Sequence, residues 1–398
     1  MSGSAGGVKV LIERGPEEGV ADLERHWCSA QTFAYVHEKG ARTVEGLPGQ
    51  LPAAYRTGHF CLLTSGSTGA PKLVIGRKQD SEDLACVLHR MQDSEPVRET
   101  IVSLPLTYCY AFVNQWLWSR VMHRRLVLTP GFAKPEIFRD TLRRANDAML
   151  CLVGPQVALL RNMFGAERFA GVIRLHFAGG RFPQEQLPAL REMFPNATIY
   201  NNYGCAEALP RLTLRRAEDG DFASDIGGPL PGVQIKSGEA GELLFRSQYR
   251  CVAQLDSSGF HPIAPDEWIP NGDLIRDGGN GHWHLVGRSG EVFKRYGEKI
   301  AVPQVLSTVS RQWDGQVGYY REKDGAGEDG YVLVLSPKPT EDRLRGLMQL
   351  FRSSHPRTHW PIRIEYAPVL PLHPNGKVDS LAVQGMENRS LLWRQRIQ

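Results

Sequence analysis

Leu62-Leu63-Thr64-Ser65-Gly66-Ser67-Thr68-Gly69-Ala70-Pro71-Lys72-Leu73-Val74 starts as an apolar run, breaks into hydroxyls and glycines, and closes on a lysine. The pattern predicts a strand that feeds a phosphate-binding loop. Glycines let the backbone approach an anion and present its N–H groups. Thr64, Ser65, Ser67 and Thr68 add hydroxyl donors, and Lys72 adds a mobile positive charge. A Walker loop is excluded: counted from Gly66, Pro71 stands at the second glycine position and Leu73 follows the lysine. Gly66-Ser67-Thr68-Gly69 also lacks the Gly-x-Ser-x-Gly spacing of a nucleophile elbow. Composition alone favours a plain glycine-rich surface turn, and the order of hydroxyls, glycines, proline and lysine weighs against it.

The order Thr-Ser-Gly-Ser-Thr-Gly-x-Pro-Lys over residues 64–72 resembles the signature loop of the adenylate-forming superfamily. That superfamily comprises acyl- and aryl-CoA synthetases, adenylation domains of nonribosomal peptide synthetases, and luciferases. Later segments follow the family's order. Asn202-Tyr203-Gly204-Cys205-Ala206-Glu207 resembles Tyr-Gly-x-Thr-Glu, which implies that Tyr203 stacks on adenine and Glu207 helps hold Mg²⁺. Asn202 and Gly204 then line the nucleotide site and Cys205 the acid pocket, while Ala206 replaces the motif's threonine and removes a hydroxyl. The β-rich run 172–177 ends in Ala178-Gly179-Gly180, where missing side chains let a flat base lie on the backbone. In Asn271-Gly272-Asp273 the resemblance gives Asp273 both ribose hydroxyls, work suited to a two-oxygen acceptor; such a turn is otherwise structural.

Gly287-Arg288-Ser289-Gly290-Glu291-Val292-Phe293-Lys294-Arg295-Tyr296-Gly297 resembles the family's crossing into its mobile carboxyl-terminal domain. It implies Arg288 on ribose or α-phosphate, Gly290 at the hinge, and the Lys294–Gly297 face for the thiol acceptor. Leu370-Pro371-Leu372-His373-Pro374-Asn375-Gly376-Lys377 resembles the terminal Pro-x-x-x-x-Gly-Lys, whose lysine, here Lys377, reaches the carboxylate and α-phosphate during adenylation. Pro105-Leu106-Thr107-Tyr108 matches Pro-Leu-x-His, with Tyr108 at the position facing the acid. Trp116 and Trp118 are weaker candidates for that wall, since aromatics at such spacing are usually core.

The chain of 398 residues, 41% hydrophobic, can bury a large core and predicts two or three domains. A formal charge of +4, from 47 basic and 43 acidic residues spread throughout, points to neither nucleic acid nor a membrane surface. Seven scattered cysteines without a Cys-x-x-Cys pair fit reduced thiols in a cytoplasmic protein. No uninterrupted apolar stretch is long enough to span a membrane, and Met1 to Arg14 lacks the pattern of a signal peptide. His282 and His284 share a strand face, but no third ligand makes them a metal site.

Asp22 to Trp27 predicts a helix, and Ser81-Glu82-Asp83 predicts a helix start at 81–91 whose positive end faces the phosphate loop. Between 121 and 200, runs at 125–129, 148–153 and 171–177 alternate with helical segments at 135–144 and 156–164, so a largely parallel sheet is expected. Glycine- and proline-rich residues 224–275 suggest a small β-barrel-like subdomain. Past it, helices at 302–311 and 341–352 and strands at 318–320 and 331–335 around the turn 324–330 describe a small α/β domain.

The fold expected is α/β: a large amino-terminal domain (1–287) with mixed, mainly parallel sheets and a barrel-like subdomain, then a small mobile α+β domain (288–398). The resemblance implies a member shortened at its amino-terminal end, because the loop begins as early as Thr64. It also implies ATP- and Mg²⁺-dependent activation of a small-molecule carboxylic acid, aromatic or fatty, as acyl-AMP. Transfer to CoA or to the phosphopantetheine of an acyl or peptidyl carrier protein follows, with Lys377, Lys72 and Glu207 as the catalytic groups. Transfer to an amine, activation of another oxyacid, and a non-catalytic adenylate-binding protein stay open. Retention of Lys377 argues against the last.

Overall fold

Strand His59–Ser65 pairs antiparallel with strand Pro71–Arg77, Thr64 opposite Lys72 and Ser65 opposite Pro71, so the strands on either side of the loop form a hairpin. The computed structural model describes residues 8–15, 19–65, 71–154, 156–165, 167–180, 182–219, 224–310, 312–313, 315–372 and 378–395. It divides into two compact units, one of residues 1–239, 243–271 and 277–284, the other of 240–242, 272–276 and 285–398.

In the first unit the hairpin lies inside a six-stranded sheet ordered 9–13, 33–37, 59–65, 71–77, 253–256, 259–262. Its apolar residues Ala34, Val36, Cys61, Leu73, Ile75 and Leu255 form one buried cluster. Within an eleven-stranded second sheet, seven consecutive strands of this unit run in the order 225–229, 213–216, 198–203, 172–177, 148–152, 99–102, 125–128, and the last five are parallel. Ala148–Leu152 is buried at every position, as expected of a parallel strand covered on both faces. Helix Pro135–Arg143 starts on proline, whose fixed φ suits the first turn, and buries Phe138 and Leu142 one turn apart. The parallel alternation read from residues 121–200 is therefore the sheet itself. The glycine-rich segment after it is divided: Asp225–Pro229, Val233–Ser237 and Glu242–Ser247 join the second sheet, and Ala253–Asp256 and Gly259–Pro262 join the first.

One local reading is corrected. The chain leaves the loop as strand Pro71–Arg77, and the helix, Lys78–Met91, begins only after it. Seven strand residues span about 23 Å, so the helix N-terminus is at the far end of the hairpin and does not face the loop. Ser81 is no cap: it is fully buried within the helix.

In the second unit, hairpin Val292–Arg295/Glu298–Ala301 turns through Tyr296 (φ 49°) and Gly297 (φ 81°), the left-handed pair that a two-residue turn needs. A four-stranded sheet ordered 316–323, 329–336, 363–366, 390–394 packs with helices Val302–Val309 and Glu341–Ser354, the latter capped by Thr340 Oγ1 accepting from Arg343 N. A buried ion pair joins the hairpin to this sheet's first turn: Arg295 Nη2 donates to Asp324 Oδ2 at 3.0 Å, with both side chains almost fully enclosed. Asp324 also accepts from Tyr296 Oη and from the amides of Ala326 and Glu328.

Removing one partner of an enclosed pair strands the other charge. Asp324→Ala should destabilise the second unit by about 3 kcal/mol, the low end for broken buried pairs, because Arg295 keeps the carbonyls of Thr358 and Trp360. Urea unfolding measures this, and a loss below about 1 kcal/mol, the range of an exposed pair, would contradict it.

Candidate active site

Thr64 and Lys72 leave the hairpin on paired positions, and Gly66, Ser67, Thr68 and Gly69 between them lie outside the described residues, as do the details of the Ser65 side chain. Lys72 Nζ stands 2.7 Å from Glu207 Oε1 and donates to Gln254 Oε1 at 2.9 Å. Gln254 comes from the neighbouring strand, opposite Val74. Glu207 sits in a one-turn helix, Ala206–Ala208, right after strand Thr198–Tyr203, and its carbonyl accepts from Cys251 N at 2.8 Å. Both charged side chains are only 14% and 17% exposed. Burial opposes charge on Glu207, but the hydrogen bond and charge of Lys72 outweigh it and hold the carboxyl below its ordinary range. Two residues far apart in sequence, each expected at the phosphates, thus meet.

The residues expected at adenine stand on two adjacent parallel strands. Phe177 pairs with Asn201, so Gly179-Gly180 and Asn202-Tyr203 continue side by side from the same carboxyl ends, where ligands of parallel sheets lie. Gly179 takes φ 75° and is exposed with Gly180, leaving backbone open to a flat ring. Tyr203 Oη accepts from Asn271 Nδ2 at 2.8 Å. Asn202 is buried and donates to the Phe177 carbonyl at 3.1 Å, a contact that ties the strand ends together and turns its side chain away from solvent. Gly204 is required by packing: a Cβ there would lie 1.8 Å from the Pro210 carbonyl oxygen. Cys205 is half-buried beside it.

Tyr108 is half-buried at the start of the helical segment 109–121, its hydroxyl raised first by burial and then by the charge of Glu13. Trp116 and Trp118 are fully buried, and Trp116 Nε1 donates to Glu24, so both are core. Sequence reading missed Glu13. It is 3% exposed, and its carboxylate accepts from Leu106 N (2.7 Å), Thr107 N (3.2 Å) and Thr107 Oγ1 (2.7 Å), fixing the Pro105–Tyr108 segment. No local signal announces a carboxylate so distant in sequence. Sequence reading also missed Arg211, a buried guanidinium over the Tyr110 ring at 4.7 Å.

Asp273 and Arg288 belong to the second unit, where Arg288 Nε donates to Asp273 Oδ1 at 3.0 Å. Asp273 is 9% and Arg288 56% exposed along their side chains. Gly290 accepts from Arg321 Nη1, has open space where a Cβ would stand, and keeps φ outside the left-handed range, so its conformation here does not demand glycine. Lys294 is exposed on the hairpin that Gly297 closes. Lys377 lies outside the described residues. Among the described residues no group of three His, Cys, Asp or Glu gathers as a metal cage, His282 and His284 included, and no helix is long and apolar enough to cross a membrane.

Comparison with known proteins bears on this geometry. A family model described as AMP-binding enzyme matches residues 27–249. The chain is 24% identical over 342 residues to non-ribosomal peptide synthetase CmlP of Streptomyces venezuelae, covering 82% of this chain and 34% of the relative. It is 26% identical over 354 residues to 2-hydroxy-7-methoxy-5-methyl-1-naphthoate–CoA ligase of Streptomyces carzinostaticus, covering 82% of this chain and 62% of the relative. The chain therefore spans less than two thirds of either relative's length. In fold it is similar to the anthranilate CoA ligase AuaEII in complex with anthranoyl-AMP, at TM-score 0.72 and 17% identity over 95% of this chain and 82% of that one.

The depressed Glu207 carboxyl has a pH signature. Stability from such a group is complete above its ordinary value of 4.5 and is lost as pH falls through the lower folded value. Between about pH 6 and about pH 3, the melting temperature of the native chain should fall more than that of Glu207→Gln. Parallel falls would mean that the pair contributes nothing.

Proposed function

Because the chain belongs to the AMP-binding enzyme family, we propose that it activates a carboxylic acid with ATP as acyl-AMP, releases pyrophosphate, and passes the acyl group to a thiol. The observation that carries this reading is the Lys72–Glu207 pair at the base of the hydroxyl- and glycine-rich loop. A cation and a carboxylate that hold each other can part toward a phosphate and a metal ion, each then gaining an opposite charge.

In the reaction proposed, a carboxylate oxygen of the acid forms a bond to the α-phosphorus while the bond from that phosphorus to the bridging oxygen breaks, and the electron pair leaves with pyrophosphate. Lys72 and the loop amides hold the phosphates in line, and the developing charge is met by Lys377. Tyr203 and the Gly179-Gly180 backbone take the adenine, with Asn202 and Gly204 shaping the slot. Asp273 takes the ribose hydroxyls, and Arg288, already its neighbour, reaches ribose or α-phosphate. Mg²⁺ on ATP needs one or two protein carboxylates beside the phosphate oxygens, a donor set that Glu207 fits. When bound it would neutralise phosphate charge. Tyr108 and Cys205 face an aromatic or fatty acid, and Glu13 holds the Tyr108 segment in place. A turn of residues 288–398 about Gly290 then brings the Lys294–Gly297 face to CoA or to the phosphopantetheine of a carrier protein, whose sulfur bonds to the acyl carbon as the acyl C–O bond breaks and AMP leaves with the electron pair, the thiol proton passing to solvent.

Two variants test the reading. Lys377→Ala should abolish acid-dependent ATP–pyrophosphate exchange while ATP still binds, since its side chain acts at the reacting atoms; unchanged exchange would remove Lys377 from the mechanism. Asp273→Ala should weaken ATP by about 1.5–3 kcal/mol for each ribose bond lost and weaken 2′-deoxy-ATP much less. Equal losses for both nucleotides would make Asp273 a structural turn residue.

A further inference from the structure

Arg211 follows the Glu207 turn and is 1% exposed. Other arginines this deeply buried are compensated. Arg295 pairs with Asp324, Arg215 lies beside Asp225, and Arg250 donates to the carbonyls of Cys251 and Ala264. Arg211 differs: its Nε and Nη2 are both enclosed without a hydrogen-bond partner among the described residues. Those two N–H groups run parallel along one edge of the planar guanidinium, the edge that receives the two oxygens of a carboxylate side by side.

Among the described residues no carboxylate forms an ion pair with Arg211; Glu207, whose charge also reaches Cys109, is held by Lys72. The titratable neighbours that feel Arg211 are Tyr110, Cys109, Cys151 and His176. Burial raises Tyr110 and both thiols, Cys151 to about 11, so all three stay protonated. Burial and then the Arg211 charge push His176 well down, so it is neutral. His176 Nε2 is also buried without a hydrogen bond among the described residues, and the His176 ring is held flat on Tyr200 at 5.0 Å. A guanidinium with an open edge, a further unsatisfied ring nitrogen and no paired carboxylate make a costly interior unless a ligand completes it.

The position fits the acid rather than the nucleotide. The Arg211 backbone packs directly on the turn after Tyr203, its Cα 3.0 Å from where a Gly204 Cβ would stand, and its guanidinium covers Tyr110, two residues past Tyr108. We propose that Arg211 is the residue that sets substrate class: the acid activated here carries a second carboxylate, which Nε and Nη2 receive as a pair. The assignment rests on the acid-activating reading above.

The test measures acid-dependent pyrophosphate exchange for benzoate, 4-phenylbutanoate and decanoate, each beside the same skeleton bearing a second carboxylate. The native chain should prefer the dicarboxylates. Arg211→Met, similar in volume and uncharged, should lose that preference by on the order of a hundredfold. Arg211→Lys should lose most of it too, since an ammonium keeps the charge but not the fork. A melting curve separates this role from a structural one: removing an uncompensated buried charge should raise the ligand-free melting temperature of Arg211→Met by about 2–4 °C. A lowered melting temperature with an unchanged acid ranking overturns the proposal, as does equal native exchange with mono- and dicarboxylates, which leaves the activating reading intact. Exchange with none of the six acids counts against that reading itself, and this assignment falls with it.

Discussion

Lys72 and Glu207 bring opposite charges from two different sheets to within 2.7 Å, and the segments around them are arranged to make that approach possible. The hairpin delivers Lys72 on a strand whose neighbour supplies Gln254 as a second acceptor. The parallel sheet delivers Glu207 on the turn after its Thr198–Tyr203 strand, and the Cys251 amide pins that turn. Because both side chains are mostly enclosed, each would be costly alone, so in the ligand-free chain each is the other's counter-ion. On the proposed reading, Mg²⁺ and the phosphates of ATP replace both partners at once. The pair then works as a preformed socket whose charges are already desolvated and aimed.

Much of this was legible because it is local. The hydroxyl–glycine–lysine order marks a loop whatever surrounds it, and the alternation at 148–177 is written in apolar runs that parallel strands bury on both faces. The second unit's hairpin at 316–336 and its helix at 341–354 follow from turn residues and from apolar spacing of the same kind. What could not be read are contacts closed by the fold. Glu13 holds the amides of Leu106 and Thr107, and nothing near Glu13 in sequence says so. Leu73-Val74-Ile75 directs the chain back along the hairpin, so the helix expected at 81–91 forms as Lys78–Met91 at the end away from the loop, with Ser81 inside it and not at its cap. Trp116 and Trp118 share the spacing of a substrate wall and are core, because burial on a continuous helical segment is decided by the opposite layers and not by the motif.

Buried arginines give a sharper division between scaffold and site. Both terminal nitrogens of Arg295 are taken up by Asp324 and two carbonyls, with Tyr296 on the same carboxylate, and such a network locks a hairpin to a sheet. Arg211 has equal burial and an open edge. Among the described residues folding pairs a carboxylate with one and not with the other, which on the proposed assignment separates a residue that stabilises the chain from one that receives a ligand.

The socket can be tested without knowing the acid. Calorimetric titration of ATP, with and without Mg²⁺, into the native chain and into Glu207→Gln addresses the pair directly. If the pair parts toward phosphate and metal, Mg²⁺ tightens ATP binding to the native chain, and Glu207→Gln loses that increment while binding metal-free ATP at least as well, since Lys72 is released from its carboxylate. An equal Mg²⁺ increment in both proteins, or weaker metal-free ATP binding by Glu207→Gln, would contradict the account.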